Sequence, residues 1–516
     1  MKKLLTILFL GLSCAAFAQN VKVNGTVTGS DGTPLPGVYV VEAGTINGVS
    51  TDIDGKYTIT VPAGSTLNFS YIGYKTQVIP VTGATEINVI LEEDSASLDE
   101  VVVVGYGTQK KSVVTAAIAR VSADDLRNVA PLRVDNALKG LTSGVTVTSS
   151  SGQPGSSARV RVRGVGTINN SDPLYIVDGM PIGGGIDYLN PSDIQSIEVL
   201  KDAASGAVYG ARAANGVILV TTKSGQKGAA RVSYDFSYGV QNPWKEYDVL
   251  NATEYAILMN EGYLAQGKAP VYADPYALGE GTDWQKEIFN YNAPQLSHQL
   301  TISGASDKVN YYVSAGYLKQ DGIVGGNFNR SNYERLTIRT NTTYNLMDES
   351  AKRNFLHKFT MGVNVAYSRT TSFGITTNSE FGGPLGSALG MAPTLKLYAD
   401  DPETLMAEHP TAVTDPRNGK PFSIVEGSIY NEMVNPLASL SLPGSKGNSD
   451  KFVSNFWAEL GIWDNLKFKS SFGTDLSFWG SDGWSPAYYL STKNFREYSE
   501  VWSSMNRSLV WQVENV

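Results

Sequence analysis

The 516-residue chain has almost no cysteine. Cys14 is the only one. With a single thiol no intrachain disulfide forms, and no cysteine-based metal site can be assembled. Histidine is nearly as scarce. His298, His357 and His409 are scattered and no partner cluster accompanies them, so the sequence offers neither a metal centre nor a histidine-based catalytic set. Charged residues make up only 17% of the chain, and the formal net charge is −8. That balance argues against nucleic acid as a partner. Long apolar runs are missing too. Only Leu4 to Leu12 approaches one, and it falls well short of the roughly 20 residues a membrane-crossing helix requires.

What is present at the start is an export signal. Lys2 and Lys3 precede the apolar stretch, and Ala16-Phe17-Ala18 supplies a small-x-small cleavage site. The reading assigns residues 1–18 to a signal peptide, with Cys14 inside it. The mature chain would then contain no cysteine. The remainder is rich in Gly and Tyr and low in charge, which leaves a soluble exported β protein or a transmembrane β-barrel.

Residues 19–91 alternate short β-branched runs with turn clusters, the pattern of a small β-sandwich. Strands are expected in Val21–Val27, Pro34–Val40, Thr51–Ile59 and Leu67–Tyr74. Asp52-Ile53-Asp54-Gly55 carries carboxylates but lacks the other ligand positions of a calcium loop, so it reads as an Asp-Gly turn. The stretches Gly32-Thr33-Pro34-Leu35-Pro36-Gly37-Val38, Thr51 to Tyr57 and Phe69-Ser70-Tyr71-Ile72-Gly73-Tyr74 resemble the carboxypeptidase-regulatory-like domain, an immunoglobulin-like sandwich. No enzyme follows from that name, because the segment holds no zinc-ligand set and every histidine lies beyond Tyr291.

Residues 92–107 read as a hinge. An acidic, Ser-rich linker leads into Glu100-Val101-Val102-Val103-Val104-Gly105-Tyr106-Gly107. The valine run strongly favours extended backbone. Its position between two modules suits a strand offered to another protein's sheet edge, a mode in which backbone hydrogen bonds supply affinity. The run resembles the TonB box of SusC/RagA-type transporters without a departure from Glu100 to Gly107. That resemblance implies that Glu100, Val101, Val102, Val103, Val104, Gly105 and Tyr106 bind TonB.

Residues 108–226 mix short helices and strands. A helix is expected over Val134–Leu141 and a small-residue helix over Ala203–Tyr209. Strands are expected in Arg159–Gly164, Ile194–Asp202 and Gly216–Lys223, and Leu174–Pro181 reads as a strand running into a turn. The glycine pairs Gly105/Gly107 and Gly164/Gly166 lack the third glycine of a dinucleotide fingerprint, and no phosphate-loop lysine follows Gly206–Gly216. The segments Leu141–Val147, Gly152-Gln153-Pro154-Gly155, Arg161–Gly166, Asn169–Gly179, Asn190–Ala203 and Tyr209–Gly216 resemble, in order, the plug domain of the same transporter family. The resemblance implies that Arg161, Arg163 and Arg212 meet carboxylates of a barrel wall; intradomain or solvated pairing is the alternative.

Residues 227–516 show period-two alternation, with Val232, Tyr234, Phe236, Tyr238 and Val240 on one face and polar or small residues on the other. Eight strands are expected near 230–241, 295–304, 308–319, 332–346, 355–369, 452–463, 465–479 and 507–516. The connections between them alternate short and long, as in a barrel with short periplasmic turns and long external loops. Alternation alone does not separate such a wall from a sandwich. Eight strands enclose an interior filled by their own side chains. A plug therefore implies about 22 strands when complete, and the stretch is expected to be only the N-terminal part of the wall.

The fold class expected is mainly β: an Ig-like sandwich, an α+β plug and an antiparallel transmembrane barrel. The resemblance implies TonB-dependent active import, with no catalytic residue, metal or cofactor in this chain. It further implies TonB with its inner-membrane energising complex and a SusD-like surface lipoprotein as partners. The substrate implied is an oligosaccharide or peptide, and the location the outer membrane of a Gram-negative bacterium, in contact with its lipid. The competing expectation is an exported multi-domain β-sandwich protein for binding or adhesion.

Overall fold

A computed structural model of the chain describes residues 20–516 apart from 31, 46, 72–73, 84–85, 93–100, 105–106, 111–117, 130–132, 150, 348–352, 354, 378, 380–382, 428–429, 431 and 464–465. The expected signal peptide and most of the acidic linker lie outside the described residues. The chain divides into two compact units, residues 1–115 and 116–516.

The first unit contains a sandwich of seven strands: β1 (Asn20–Gly29), β2 (Tyr39–Glu42), β3 (Gly48–Ser50), β4 (Lys56–Pro62), β5 (Thr66–Ser70), β6 (Gln77–Pro80) and β7 (Val89–Leu91). One sheet has the order β4-β1-β7 and the other β3-β2-β5-β6. Alternate residues face inward, so Val23, Val27, Val40, Ile59, Leu67, Phe69 and Leu91 form one buried core. The Asp-Gly turn is built as expected. Asp52 Oδ1 accepts the backbone amides of Asp54 and Lys56. Gly55 follows at φ 75, where a Cβ would lie 2.5 Å from the Val27 carbonyl oxygen. The valine run forms β8 (Val101–Val104), which pairs antiparallel with β9 (Gly107–Lys110), with Val103 opposite Thr108.

The second unit opens with a five-stranded sheet built from β10 (Ile118–Ser122), β13 (Leu174–Val177), β14 (Met180–Ile182), β15 (Ile194–Leu200) and β16 (Val217–Thr222), in the order β10-β15-β16-β13-β14. Its central strands are apolar on both faces, with Ile176, Ile197, Val199 and Ile218 buried. A separate ribbon pairs β11 (Val145–Ser149) with β12 (Ala158–Val162). Val147 and Val160 are buried on one side, while Arg159 and Arg161 stand opposite Thr148 and Thr146 on the other. The strand expected to run into a turn over Leu174–Pro181 does so: β13 ends at Val177, Asp178 (φ 48) and Gly179 (φ 86) make a two-residue turn, and β14 follows as the second arm of the hairpin. One expectation needs correction. The helix beginning at Val134 spans only Val134–Ala137.

The wall is one antiparallel sheet in strict chain order: β17 (Gly228–Gln241), β18 (Ala293–Ala305), β19 (Val309–Asp321), β20 (Asn332–Met347), β21 (Lys358–Phe373), β22 (Ser445–Trp463), β23 (Leu466–Ser485) and β26 (Glu500–Asn515). A small hairpin, β24 (Tyr488–Ser491) with β25 (Asn494–Arg496), sits between the last two. The sheet is not closed; β17 and β26 are its edges. Several strands outrun their expected ends, β22 from Ser445 and β23 to Ser485, because polar residues beyond the apolar alternation continue the hydrogen-bonded ladder. The long connections carry helices. Ala252–Ala265 has a full capping box, in which Asn251 Oδ1 accepts the Glu254 amide and the Glu254 carboxylate accepts the Asn251 amide. Trp284–Ile288 lies in the same loop and Pro384–Gly390 in another. The two loops are tied by Trp284 Nε1 donating to the Ala392 carbonyl at 3.1 Å and Thr282 Oγ1 to the Leu395 carbonyl at 2.7 Å.

Candidate functional site

Three places bear on function: the valine strand, the seam between plug and wall, and a cavity above the plug. The valine strand forms a two-stranded sheet with β9 alone. Among the described residues, no sandwich strand joins it. A strand paired on one side keeps a row of unpaired N–H and C=O groups on the other, which is the template that strand addition needs. Glu100, Gly105 and Tyr106 lie outside the described residues.

The seam is polar and buried. Asp178, at the tip of the β13–β14 hairpin, accepts the Thr222 amide at 2.9 Å and lies 3.5 Å from Arg339 of β20. Arg339 is 3% exposed, hydrogen-bonds the Thr222 hydroxyl and the Lys223 carbonyl, and stacks over Tyr312 at 5.4 Å. Asp193 is 1% exposed. Its Oδ1 accepts from Gln299 at 3.0 Å and from Tyr312 at 2.9 Å. Burial raises the Asp193 pKa, and the nearby Arg339 charge and the Tyr312 hydroxyl oppose that rise. Farther round the wall, Asp475 of β23 accepts the Gly183 amide at 3.1 Å, Lys451 lies 3.3 Å from Asp475, and Asn455 donates to the Asp178 carbonyl at 3.1 Å. Gly155 (φ 73) rests against Tyr333, whose ring a Cβ would meet at 2.2 Å.

The faces of the wall are the inverse of a soluble sheet. Gln299, Ser314, Arg335, Thr337, Arg339, Ser368 and Asp475 are buried. Tyr234 (61% exposed), Ile338, Phe452, Phe456 and Phe472 are exposed on the other face. A sandwich buries its apolar face, whereas a membrane wall turns it outward to lipid and keeps polar groups inside. This resolves the alternation in favour of a barrel wall.

Above the plug lies a cavity of about 350 Å³. The plug contributes Gln153 and Pro154, and the external loops contribute Trp244, Tyr247, Phe289 and Thr376. Gln153 Oε1 accepts the Ile375 amide at 3.0 Å, which joins the plug's apex to the loop that carries Thr376.

The same arrangement recurs in known proteins. Residues 110–217 match the TonB-dependent Receptor Plug Domain family, and residues 23–103 match the CarboxypepD_reg-like domain family. TonB-dependent receptor SusC of Bacteroides thetaiotaomicron is 36% identical over 513 residues, 97% of this chain and 48% of that protein. TonB-dependent receptor P3 of Formosa agariphila is 36% identical over 485 residues, 92% of this chain and 44% of that protein. The chain belongs to the SusC/RagA-type TonB-dependent receptors. Among solved structures, the RagAB peptide importer in its open-open state shares the fold, with a TM-score of 0.63 at 24% identity over 81% of this chain and 46% of that one. The chain therefore spans about half the length of the relatives it matches.

None of the three plug arginines pairs with a wall carboxylate among the described residues. Arg161 pairs with Asp172 of the plug itself. Arg163, at φ 55, and Arg212 are exposed and have no wall carboxylate as partner among the described residues. The principal wall ion pair has the opposite polarity, with the cation Arg339 on the wall and the carboxylate Asp178 on the plug. Asp178, Asp193 and Gln299 were not singled out from sequence. The available signals were an arginine at an inward-facing position of a strand and an Asp-Gly turn aimed out of the plug sheet.

The external loop 374–444 has its own electrostatic clasp. Buried Asp415 receives a fork from Arg417, at 2.9 Å to Oδ1 and 2.7 Å to Oδ2, and the Tyr398 hydroxyl at 2.8 Å. Burial alone would raise this carboxyl, but the Arg417 fork, the Arg417 amide and the Tyr398 hydroxyl hold it down at about 2. A carboxyl held below its unfolded value near 3.9 stabilises the fold above that value and loses its contribution as pH falls through about 2. Limited proteolysis of the loop is therefore expected to be unchanged from pH 7 to about 4 and to accelerate below that. Asp415→Asn should be cleaved faster at neutral pH and lose this acid step.

Proposed function

We propose that this chain is the energy-coupling and gating part of a TonB-dependent importer in the outer membrane of a Gram-negative bacterium. The strand Val101–Val104, paired on one side only, is the observation that carries the reading. TonB adds its own strand to the open edge and pulls. Only residues 111–117 separate β9 from β10 of the plug sheet, so force on the valine strand reaches the plug through a short covalent tether. Much of the plug–wall seam is polar, and water or a passing substrate can replace such contacts more readily than an apolar core. The energy comes from the inner-membrane proton gradient, and no nucleotide site is needed.

The cargo on this reading is an oligosaccharide or peptide delivered by a SusD-like lipoprotein above the external loops. The family relationship to SusC and the fold shared with the RagAB peptide importer support that partner class. The sandwich at 19–91 is assigned as an accessory periplasmic module, 92–107 as linker and TonB box, 108–226 as plug and 227–516 as wall. In this assignment Arg161, Arg163 and Arg212 remain candidates for contacts to the wall, and Glu100 to Tyr106 for TonB.

The test is removal of residues 101–106 from the protein in its native outer membrane. Uptake of labelled nutrient is expected to fall to background while binding at the cell surface is retained. Uptake at the unmodified rate would refute the proposal.

A further inference from the structure

We propose that the outer face of the wall carries a binding site for a phosphorylated glycolipid of the outer leaflet, built around Arg330, Lys446 and Trp484. The proposal rests on the outer-membrane placement of the wall and is independent of what the receptor imports.

The parity of the strands fixes where these residues point. Phe452 and Phe456 lie on the exposed, lipid-facing side of β22. Lys446 is six residues before Phe452 and shares that side. Its partners across the ladders are Phe373 of β21 and Asp482 of β23, and residues directly opposite one another share a face. Trp484, two residues beyond Asp482, and its partner Val501 of β26 lie on the same side. These strand ends meet the long connections, so they are the external end of the wall. Arg330 comes from the connection between β19 and β20 at that end. Together these side chains line an open depression of about 610 Å³ on the outer surface.

The depression sits where an apolar surface gives way to charge. Farther down the same side, Phe452, Phe472, Leu509 and Trp511 are exposed. At the depression itself Trp484 is 52% exposed and Val501 81%. An exposed indole at the upper limit of an apolar band marks the level of lipid headgroups.

At this level two cations lack partners. Elsewhere on the upper outer face Lys319 and Glu334 pair at 3.7 Å, and Arg369 stands opposite Asp450. Arg507 lies over the Phe478 ring at 5.7 Å. Lys446 stands opposite Asp482, yet no ion pair closes between them. Asp482 is taken instead by the Ser503 hydroxyl at 2.6 Å and the Asn448 amide at 3.4 Å. Arg330 has a buried Nε without a hydrogen-bond partner among the described residues. Its pKa is lowered by desolvation alone, as expected of a cation with no anion beside it. A phosphate would supply the missing charge, and its oxygens match the guanidinium fork and the ammonium. A free phosphate would leave Trp484, Phe373 and Val501 without a use. An amphiphile uses both parts, with its head on Arg330 and Lys446 and its acyl chains down the apolar side. In a Gram-negative outer membrane the external leaflet is built from phosphorylated glycolipid, which has that form.

The experiment is titration of the full receptor, extracted from its outer membrane in neutral detergent and stripped of lipid, with bound lipid counted by native mass spectrometry. The probes are monophosphoryl lipid A, the same lipid dephosphorylated, phosphatidylglycerol and sodium phosphate. Monophosphoryl lipid A is expected to bind saturably and the dephosphorylated form at least tenfold more weakly. Arg330→Gln and Lys446→Gln should each weaken the phosphorylated lipid by about tenfold, and Lys446→Arg should not. Trp484→Ala should weaken both lipid forms by the same factor, because it meets the lipid and not the phosphate. Lys319→Gln, which removes a cation already paired on the same face, should bind normally. Heat-modifiable gel migration shows whether each variant is folded. Where Arg330→Gln fails that control, Arg330→Lys replaces it and should lose less. Equal binding of the phosphorylated and dephosphorylated lipids, or binding unmoved by both glutamine variants, would overturn the proposal. So would phosphatidylglycerol binding as tightly as lipid A, or competition by millimolar sodium phosphate, which would show a free-anion site. Deleting residues 101–106 should leave lipid binding unchanged, so failure of the energy-coupling reading and failure of this one are seen separately.

Discussion

Replacing Val103 by proline is expected to abolish import while leaving the receptor folded, inserted and able to bind its cargo. Val103 lies inside the four-residue strand and opposite Thr108. Proline removes the N–H from a position where strand pairing uses it, and its ring obstructs the ladder, which is why proline is confined to strand edges and bulges. Affinity in strand addition comes mainly from main-chain hydrogen bonds. One lost bond, with the distortion of its neighbours, costs on the order of 2 kcal/mol, or about a thirtyfold loss of partner affinity. A conservative Val103→Ile keeps both the N–H and the β-branch and should import normally. The measurement is uptake of labelled cargo alongside surface binding in the same cells. Loss of surface binding together with uptake would point instead to misfolding, and equal uptake by the proline and isoleucine forms would refute the strand-addition role.

The second large effect is expected at Arg339. Its guanidinium is the cation nearest two plug carboxylates, Asp178 by direct contact and Asp193 through its field. Arg339→Leu leaves Asp178 facing the wall without a counter-charge and removes the donors to the Thr222 hydroxyl and the Lys223 carbonyl. Breaking a buried pair by deleting one partner typically costs about 3–5 kcal/mol, far more than the net worth of an intact pair. The plug should therefore seat poorly. The expected readouts are a lower temperature for the heat-modifiable shift and increased sensitivity of the cells to a large antibiotic excluded by an intact outer membrane. Arg339→Lys keeps the charge but loses the fork and should be intermediate. Arg339→Leu with Asp178→Asn should recover part of the loss, because no unpaired charge then remains at that hairpin. A single Arg339→Leu receptor with unchanged melting and no leak would show that the pair contributes nothing to seating.

The seam also explains how a plug can be both secure and removable. Its polar contacts to the wall include Asp193 to Tyr312, Asn190 to Gln299 at 2.6 Å, Gly183 to Asp475 and the Asp178–Arg339 pair. Such groups find replacement partners in water when the plug moves, whereas separating apolar surfaces exposes them to water with nothing gained. The apolar core of the plug centres on Ile197 and Ile218 and extends to Val453 and Ala366 of the wall.

Much of this was legible along the chain because it depends on neighbours in sequence. Period-two alternation placed all eight wall strands, since side chains in a strand alternate faces wherever the strand lies. The Asp-Gly turn at Asp52 and the capped helix at Ala252 are local motifs whose hydrogen bonds close within a few residues. The valine run was recognisable because four adjacent β-branched residues impose extended backbone on themselves. What those signals left open was the surroundings of each face. Whether Tyr234 and Phe456 meet a core or lipid follows only from the plug occupying the other side of the sheet. Which charges meet there depends on register and on the tight turn at Asp178, which joins residues far apart in the chain; the plug–wall ion pair among the described residues joins Arg339 of the wall to Asp178 of the plug. Local period and turn chemistry thus determined the elements. The assembly of plug against wall decided which polar groups are buried, because burial is a property of the opposing surface as much as of the residue.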